Sequence, residues 1–364
     1  MSSPDNSPTN SPPSRSGDEN ESESETAADE RQFAGDTLSD DSTNGNGRSS
    51  DTELEELRDD DFPTYFAERD GRLYQADSAA SPYPLPVDTP ENQRVTFLHK
   101  CLLEVVGAHY IGPVHQVLAS VEGQQRKVVD LGCGLGEWVT EMARQFPHVS
   151  FHGLDIVPIA TRYPEVNAQF ELHDIGEEWR WPASSIDMVH ARSIFMTVRD
   201  FSVIINEAAR VLKPGGLFLS GEWLYYPSFS SSFPESRTHP SEHVPFLHKL
   251  YTTFHTILIQ RGIQSPIAPY IADRLQSSGH FHSINPMIFH VPIGTWSSAE
   301  SAQRIGRGNR AALKRFLDSI KPMLLQDSGM LPEEIEDMYA GCLAEMYNMQ
   351  GLVSVYYLVS ALKV

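Results

Sequence analysis

The sequence predicts an α/β fold: a mostly parallel sheet flanked by helices, with helical insertions and a disordered N-terminal tail. Three observations predict it. Apolar strand patterns alternate with helical ones between Lys127 and Ser220, a glycine-rich turn joins the first of these strands to its helix, and residues 1–61 carry almost no large apolar side chains. Strands that alternate with helices pair in parallel through right-handed crossovers.

The tail comes first. Of the 364 residues, the first 61 hold 18 Asp/Glu against 4 Arg, and so carry two thirds of the net charge of −21. Such a segment cannot bury enough surface to offset its ordering entropy, and it is expected to stay unfolded. Its Ser7-Pro8 and Ser11-Pro12 pairs suit phosphorylation, although a plain solubilising tail has the same composition.

Residues 62–364 form the folded domain, with core motifs over 127–223, a substrate-roof insertion over 228–275 and C-terminal helices and strands over 280–364. This part is only mildly acidic and has no overall field to draw in phosphate backbones, so no direct nucleic-acid partner is expected. Three widely spaced cysteines, Cys101, Cys133 and Cys342, suit a reducing compartment. No apolar run reaches the roughly 20 residues needed to span a bilayer, and the N-terminus lacks a signal-peptide pattern. A cytoplasmic location is expected, with the nucleus as the alternative.

In chain order, the Pro-punctuated stretch Ser81–Pro90 leads into a helix with Val95, Leu98, Leu102, Leu103 and Val106 on its apolar face. Lys127–Leu131 reads as a strand and Gly132–Gly136 as a turn, and the next helix carries Trp138, Met142 and Phe146 at spacing four. Strand patterns follow at Val149–Ile156, Gln169–His173 and Ile186–His190. A helix from Phe201 to Leu212 stops at Lys213-Pro214-Gly215-Gly216, where Pro cannot continue it and Gly permits positive φ. The strand Leu217–Ser220 comes next. Ser228–Ser241 reads as a loop, Val244–Gln260 as a helix and Ile284–Pro292 as a strand. Two amphipathic helices, centred on Phe316 and Cys342, precede a last strand within Gly351–Leu362.

The chemistry is concentrated in Val128-Val129-Asp130-Leu131-Gly132-Cys133-Gly134-Leu135-Gly136. Its glycines allow a tight turn and let a ligand lie against bare backbone. Asp155 ends the next strand, where an acid can accept both ribose hydroxyls. The spacing is G-x-G-x-G, whereas a nicotinamide fold shows G-x-G-x-x-G. Asp130, two residues ahead of the turn, favours a cationic ligand such as an ammonium or sulfonium. No Gly-Lys-Ser/Thr follows, which excludes a P-loop.

These residues resemble the class I S-adenosylmethionine-dependent methyltransferases. Five motifs in order carry the resemblance: Asp130–Gly136, Asp155, Asp174, Ser185–His190 and Val211–Gly216. It implies a Rossmann-like, seven-stranded, mostly parallel sheet and S-adenosyl-L-methionine as cofactor. By that resemblance Asp130, Gly132, Cys133, Gly134, Gly136, Asp155, Ile156, Ile175 and Arg192 bind the cofactor, and Asp174 meets its adenine amino group.

A narrower resemblance is to the fungal methyltransferases that include the LaeA-type regulators of secondary metabolism. It rests on Pro86-x-Asp88-x-x-Glu91-x-x-Arg94 with His99 five residues on, on Ile175–Trp179 leading to His190-Ala191-Arg192, and on Pro292-Ile293-Gly294-Thr295-Trp296. Thr96 stands where an Asp is common after Arg94. The resemblance implies O-methylation of a small-molecule secondary metabolite or, alternatively, a nuclear regulator acting through partner proteins.

Methyl transfer from a sulfonium is an in-line displacement that needs no metal. The crevice should lie at the carboxyl ends of the strands. There Met196, Trp223, Tyr225 and Tyr226 are candidates for the acceptor pocket, with ordinary core aromatics as the plainer reading. His190 and Glu222 are candidate catalytic bases for a phenol of pKa about 10. The plainer roles are a strand-end cap for His190 and a backbone hydrogen bond for Glu222. Arg94 and His99 either brace their helix over the cofactor or sit at the surface. His243, His248, His255, His280 and His282 lack Cys or carboxylate partners at ligand spacing, so no metal is expected.

Overall fold

The computed structural model describes residues 54–76 and 81–364. The expectation of an unfolded tail, with its two Ser-Pro pairs, falls on residues of which 1–53 lie outside the described ones. Order within the described part starts slightly earlier than residue 62, in a 3₁₀ turn over Asp59–Tyr65.

A hairpin that sequence patterning did not reveal follows: β1 (Phe66–Arg69) and β2 (Arg72–Gln75). Its turn residues Asp70 and Gly71 both take positive φ, the combination that matches hairpin twist. The hairpin is tied to the domain through Asp88, whose Oδ2 accepts from Arg72 Nε at 2.5 Å. Asp88 also caps α1 (Thr89–Val106), its Oδ1 accepting from the Glu91 amide at 3.2 Å.

The chain continues through α2 (Val114–Val117), β3 (Arg126–Leu131), α3 (Glu137–Gln145), β4 (Val149–Asp155), β5 (Ala168–Leu172), β6 (Ile186–Arg192) and α4 (Phe201–Val211). After these come β7 (Leu212–Phe229), α5 (Pro245–Gln260), α6 (Ile271–Ser278), β8 (Phe281–Pro292), α7 (Glu300–Asp327), α8 (Pro332–Asn348) and β9 (Leu352–Lys363). One seven-stranded sheet has the order β5-β4-β3-β6-β7-β9-β8. The first five strands in that order are parallel; β9 is antiparallel to both β7 and β8. From β3 the chain runs outward first to β4 and β5, then back to β6 and β7. That reversal opens a crevice at the carboxyl ends of β3 and β6.

At the opposite end of the sheet, buried Asp187 ties three strands together. It accepts from Arg126 Nη1 at 2.7 Å, the Lys127 amide at 2.9 Å and Lys213 Nζ at 2.8 Å. Its place in the Ser185–His190 motif is thus a structural one.

Two expectations are corrected. The fifth parallel strand does not stop at Ser220: β7 runs 18 residues and pairs with β9 as far as Phe229↔Leu352, across a bulge after Leu224. Both faces of this strand are covered, so Glu222–Tyr226 show no apolar alternation that would mark a strand. In α1, Leu102 is buried but Val95 is 37% exposed, and the buried side chains include Glu91, Arg94 and His99. A buried polar stripe replaces part of the apolar face. No helix among the described residues is long and apolar enough to cross a membrane.

Candidate functional site

The site starts at the turn between β3 and α3. Gly134 has φ +56 and a Cβ built on it would meet nothing within 4 Å, so its bare backbone faces open space. Gly136 has φ +74, and a Cβ there would fall 2.3 Å from the Phe170 ring. It lets α3 start tight against β5, and it does not face the cavity.

Asp155, at the end of β4, braces the turn. Its Oδ2 accepts from the Gly134 amide at 2.8 Å and its Oδ1 from the Val157 amide at 3.2 Å. Burial pushes the Asp155 carboxyl above its usual range, and the amide donors oppose that shift. Asp130 is buried, with Oδ1 2.6 Å from His190 Nδ1. The His190 ring stacks on Trp138 with centroids 3.8 Å apart. Burial holds His190 below the usual histidine range despite the pull of Asp130. A neutral imidazole donating to Asp130 satisfies both groups and fixes the carboxylate under the turn.

Around these residues lies a cavity of about 1320 Å³, mouth included. Its lining includes Asp130, Gly132, Gly134, Asp155, Asp174 and Ile175 from the β3–β5 side of the sheet, and Tyr83, Arg94, Met196, Trp223 and Tyr225 from other segments. Asp174 Oδ1 accepts from the Gly176 amide at 2.8 Å, which leaves its other oxygen free of that bond. A glycine cradle with carboxylates at two heights fits a nucleoside carrying a cationic tail. Cys133 also lines the cavity, and burial holds its thiol well above the ordinary cysteine range, so it is neutral there.

Nine of the ten residues expected at the cofactor line this one cavity: Asp130, Gly132, Cys133, Gly134, Asp155, Ile156, Asp174, Ile175 and Arg192. Gly136 is the exception. Of the expected acceptor residues, Met196, Trp223 and Tyr225 line it and Tyr226 does not. Alternation along β7 is the reason: Trp223 and Tyr225 share a face, and the Tyr226 hydroxyl lies instead 3.0 Å from His248 Nε2.

The same alternation removes Glu222 from the cavity. It is fully buried, and its Oε1 accepts from the Ile194 amide at 2.7 Å and the Phe195 amide at 3.2 Å. Its Oε2 has no hydrogen-bond partner among the described residues, and burial pushes its carboxyl up to about 8. Glu222 therefore anchors the loop after β6, in the plainer role weighed for it. His190 is likewise absent from the lining of this cavity, its ring stacked on Trp138 and its Nδ1 against Asp130.

Residues from before β3 complete the site. Arg94 donates to Glu91 Oε1 from Nε at 3.0 Å and Nη2 at 2.5 Å, and Ser319 Oγ donates to Glu91 Oε2 at 2.7 Å. Arg192 Nη2 lies 3.0 Å from His99 Nδ1, and His99 Nε2 lies 2.5 Å from Glu141 Oε2. His99 lines the cavity itself and also holds Arg192 there. His99, His109 and Glu141 bring three potential metal-ligand atoms within 4.8 Å of one another. This cluster is not among the histidine groups read from the sequence, because its members come from α1, the following loop and α3. Tyr83 was also missed; it sits in the Pro-punctuated stretch, which has no periodicity to flag it.

A family described as a methyltransferase domain matches residues 107–279. The chain is 35% identical over 271 residues to a protein of Coprinopsis cinerea named "Secondary metabolism regulator laeA", covering 74% of this chain and 66% of that one. It is 23% identical to the "Protein-methionine methyltransferase laeA" of Emericella nidulans, covering 78% and 73%. It is 26% identical to the "Methyltransferase str3" of Strobilurus tenacellus, covering 39% and 49%. The chain thus spans just under two thirds of the length of the Coprinopsis relative.

Proposed function

Because the chain belongs to the LaeA-like family of S-adenosylmethionine-dependent methyltransferases, we propose that it O-methylates a small-molecule secondary metabolite. The observation that carries this reading is the single cavity that the glycine turn and the aromatic residues line together. The glycine turn and its carboxylates share the lining with Trp223, Tyr225 and Met196.

The cofactor supplies an electrophilic methyl on a sulfonium. Asp155 and Asp174 hold and orient the nucleoside, and Asp130, kept in place by His190, faces the cationic end. Arg192 completes the grip. Trp223, Tyr225 and Met196 exclude water and set the approach of the acceptor oxygen. Alignment of this kind is worth roughly 7–11 kcal/mol of the barrier. Neither His190 nor Glu222 reaches the cavity to serve as a base. An acceptor oxygen that is already anionic, such as a carboxylate, needs none.

A second reading follows the names of the relatives. Several are called regulators of secondary metabolism, and one a protein-methionine methyltransferase. On this reading the chain acts in the nucleus, through partner proteins or on a protein side chain.

Purified protein incubated with methyl-labelled S-adenosylmethionine and a metabolite extract from cells lacking the protein separates the two. We expect label in one low-molecular-weight compound. Label appearing only in protein supports the regulatory reading, and no label in either fraction contradicts both.

A further inference from the structure

We infer that Arg94, Tyr83 and Tyr225 form an anchor for a carboxylate or another oxyanion in the cavity that the glycine turn also lines. This deepens the methyl-transfer reading and rests on it only for the identity of the occupant.

Arg94 is 5% exposed and lines the cavity, on an α1 segment that precedes the matched family region 107–279. Two of its three guanidinium nitrogens are spent on Glu91; Nη1 has no hydrogen-bond partner among the described residues. Its guanidinium lies 5.6 Å from the centroid of Phe316, and Phe316 stacks on Tyr225 at 4.6 Å. Tyr83 and Tyr225 also line the cavity, and neither hydroxyl has a hydrogen-bond partner among the described residues.

Burial pushes both phenols up, Tyr225 to about 12, so both are neutral donors. Three donors from separate segments thus line one cavity, and none has a protein acceptor among the described residues. Their polar atoms open onto the cavity, where an acceptor on a ligand can take the place of water as their partner. Glu91 cancels the net charge of Arg94, so recognition here rests on directed donors.

Behind the anchor, Leu313, Phe316 and Tyr251 line an apolar recess that shares Arg94, Trp223 and Tyr225 with the main cavity. The recess is small, so the apolar part of an acidic occupant lies in the main cavity against Trp223 and Tyr225. Two molecules can bring the oxyanion: the acceptor, or the cofactor through its amino-acid end.

Calorimetry on the full chain tests the anchor and separates the sources. The probes are S-adenosylhomocysteine, 5′-methylthioadenosine (which lacks the amino-acid end), and cinnamate against the neutral cinnamamide, titrated with and without S-adenosylhomocysteine. The variants are Arg94→Met, Tyr83→Phe and Tyr225→Phe; the two phenylalanine variants keep their rings if Arg94→Met unfolds.

If the acceptor brings the oxyanion, cinnamate binds more tightly than cinnamamide. Each variant then lowers cinnamate affinity about ten- to hundred-fold and leaves S-adenosylhomocysteine unchanged. If the cofactor brings it, the variants weaken S-adenosylhomocysteine by that factor and leave 5′-methylthioadenosine unchanged. Variants that alter neither ligand overturn the anchor. Absence of S-adenosylhomocysteine binding to the wild type defeats the methyl-transfer reading instead, and the cinnamate titration without it still decides the anchor.

Discussion

Asp155 Oδ2 accepts the backbone hydrogen bond of Gly134 at 2.8 Å, so the acid at the end of β4 and the glycine turn after β3 form one rigid unit. Gly134 needs positive φ, and its Cβ position is open to the cavity. Gly134→Ala should therefore lower stability by roughly 1–2 kcal/mol through left-handed strain, and should also weaken nucleoside binding. Gly71 has φ +70 and equally open space, but lies in the β1–β2 turn. Gly71→Ala should cost similar stability and leave binding unchanged. Thermal unfolding and calorimetry on the pair check this.

Glu222 gives a pH signature. Its carboxyl rises from 4.5 to about 8 on burial. Between those values the unfolded chain has released the proton and the native chain keeps it, so stability falls as pH rises through that window and levels off above it. Replacing the carboxyl with an amide removes the effect, on the order of a few kcal/mol. Denaturant unfolding of the wild type and Glu222→Gln at pH 5 to 8 should show a smaller loss of stability for the variant.

Asp187 is buried beneath three donors, two of them cationic. Asp187→Ala leaves Arg126 and Lys213 without their partner and should cost about 3–5 kcal/mol. The cavity lies at the other end of the strands. The surviving folded fraction should therefore bind the nucleoside with unchanged affinity, which a titration below the unfolding temperature can measure.

Alternation along β7 predicts a contrast between near neighbours. Trp223→Ala opens the acceptor wall and should raise the acceptor KM at least tenfold, on the order of the 1–3 kcal/mol such packing is worth. Tyr226→Phe removes a hydroxyl that faces His248 and should leave both kcat and KM unchanged. Steady-state kinetics with the acceptor compound test both.

That the glycine turn, Asp155 and Asp174 come together at one cavity was legible in the sequence because it depends on local chain geometry. A turn that needs glycines and an acid at a strand end have fixed spacings, and Asp130, Gly134, Asp155 and Asp174 fall where spacing puts them. The acceptor half depends on which face of a strand or helix is covered. A strand that ends at Ser220 would put Glu222 and Tyr226 at the crevice; pairing with β9, more than 100 positions away, extends β7 past them. Glu91 and Arg94 appeared in a recognised motif, but their burial comes from α7, through Ser319 and Phe316. The β1–β2 hairpin carried its Asp-Gly turn in plain view, yet its short strands are mixed in polarity.

The central claim is that the β3 turn and Asp155 hold a sulfonium nucleoside or its demethylated product. Titration calorimetry of S-adenosylhomocysteine into folded wild type and Asp155→Ala tests it most directly. The account predicts saturable one-to-one binding to the wild type and a loss of at least tenfold in the variant, the weight of one charge-assisted hydrogen-bonded group. No heat with the wild type, or equal affinity for both proteins, would contradict it.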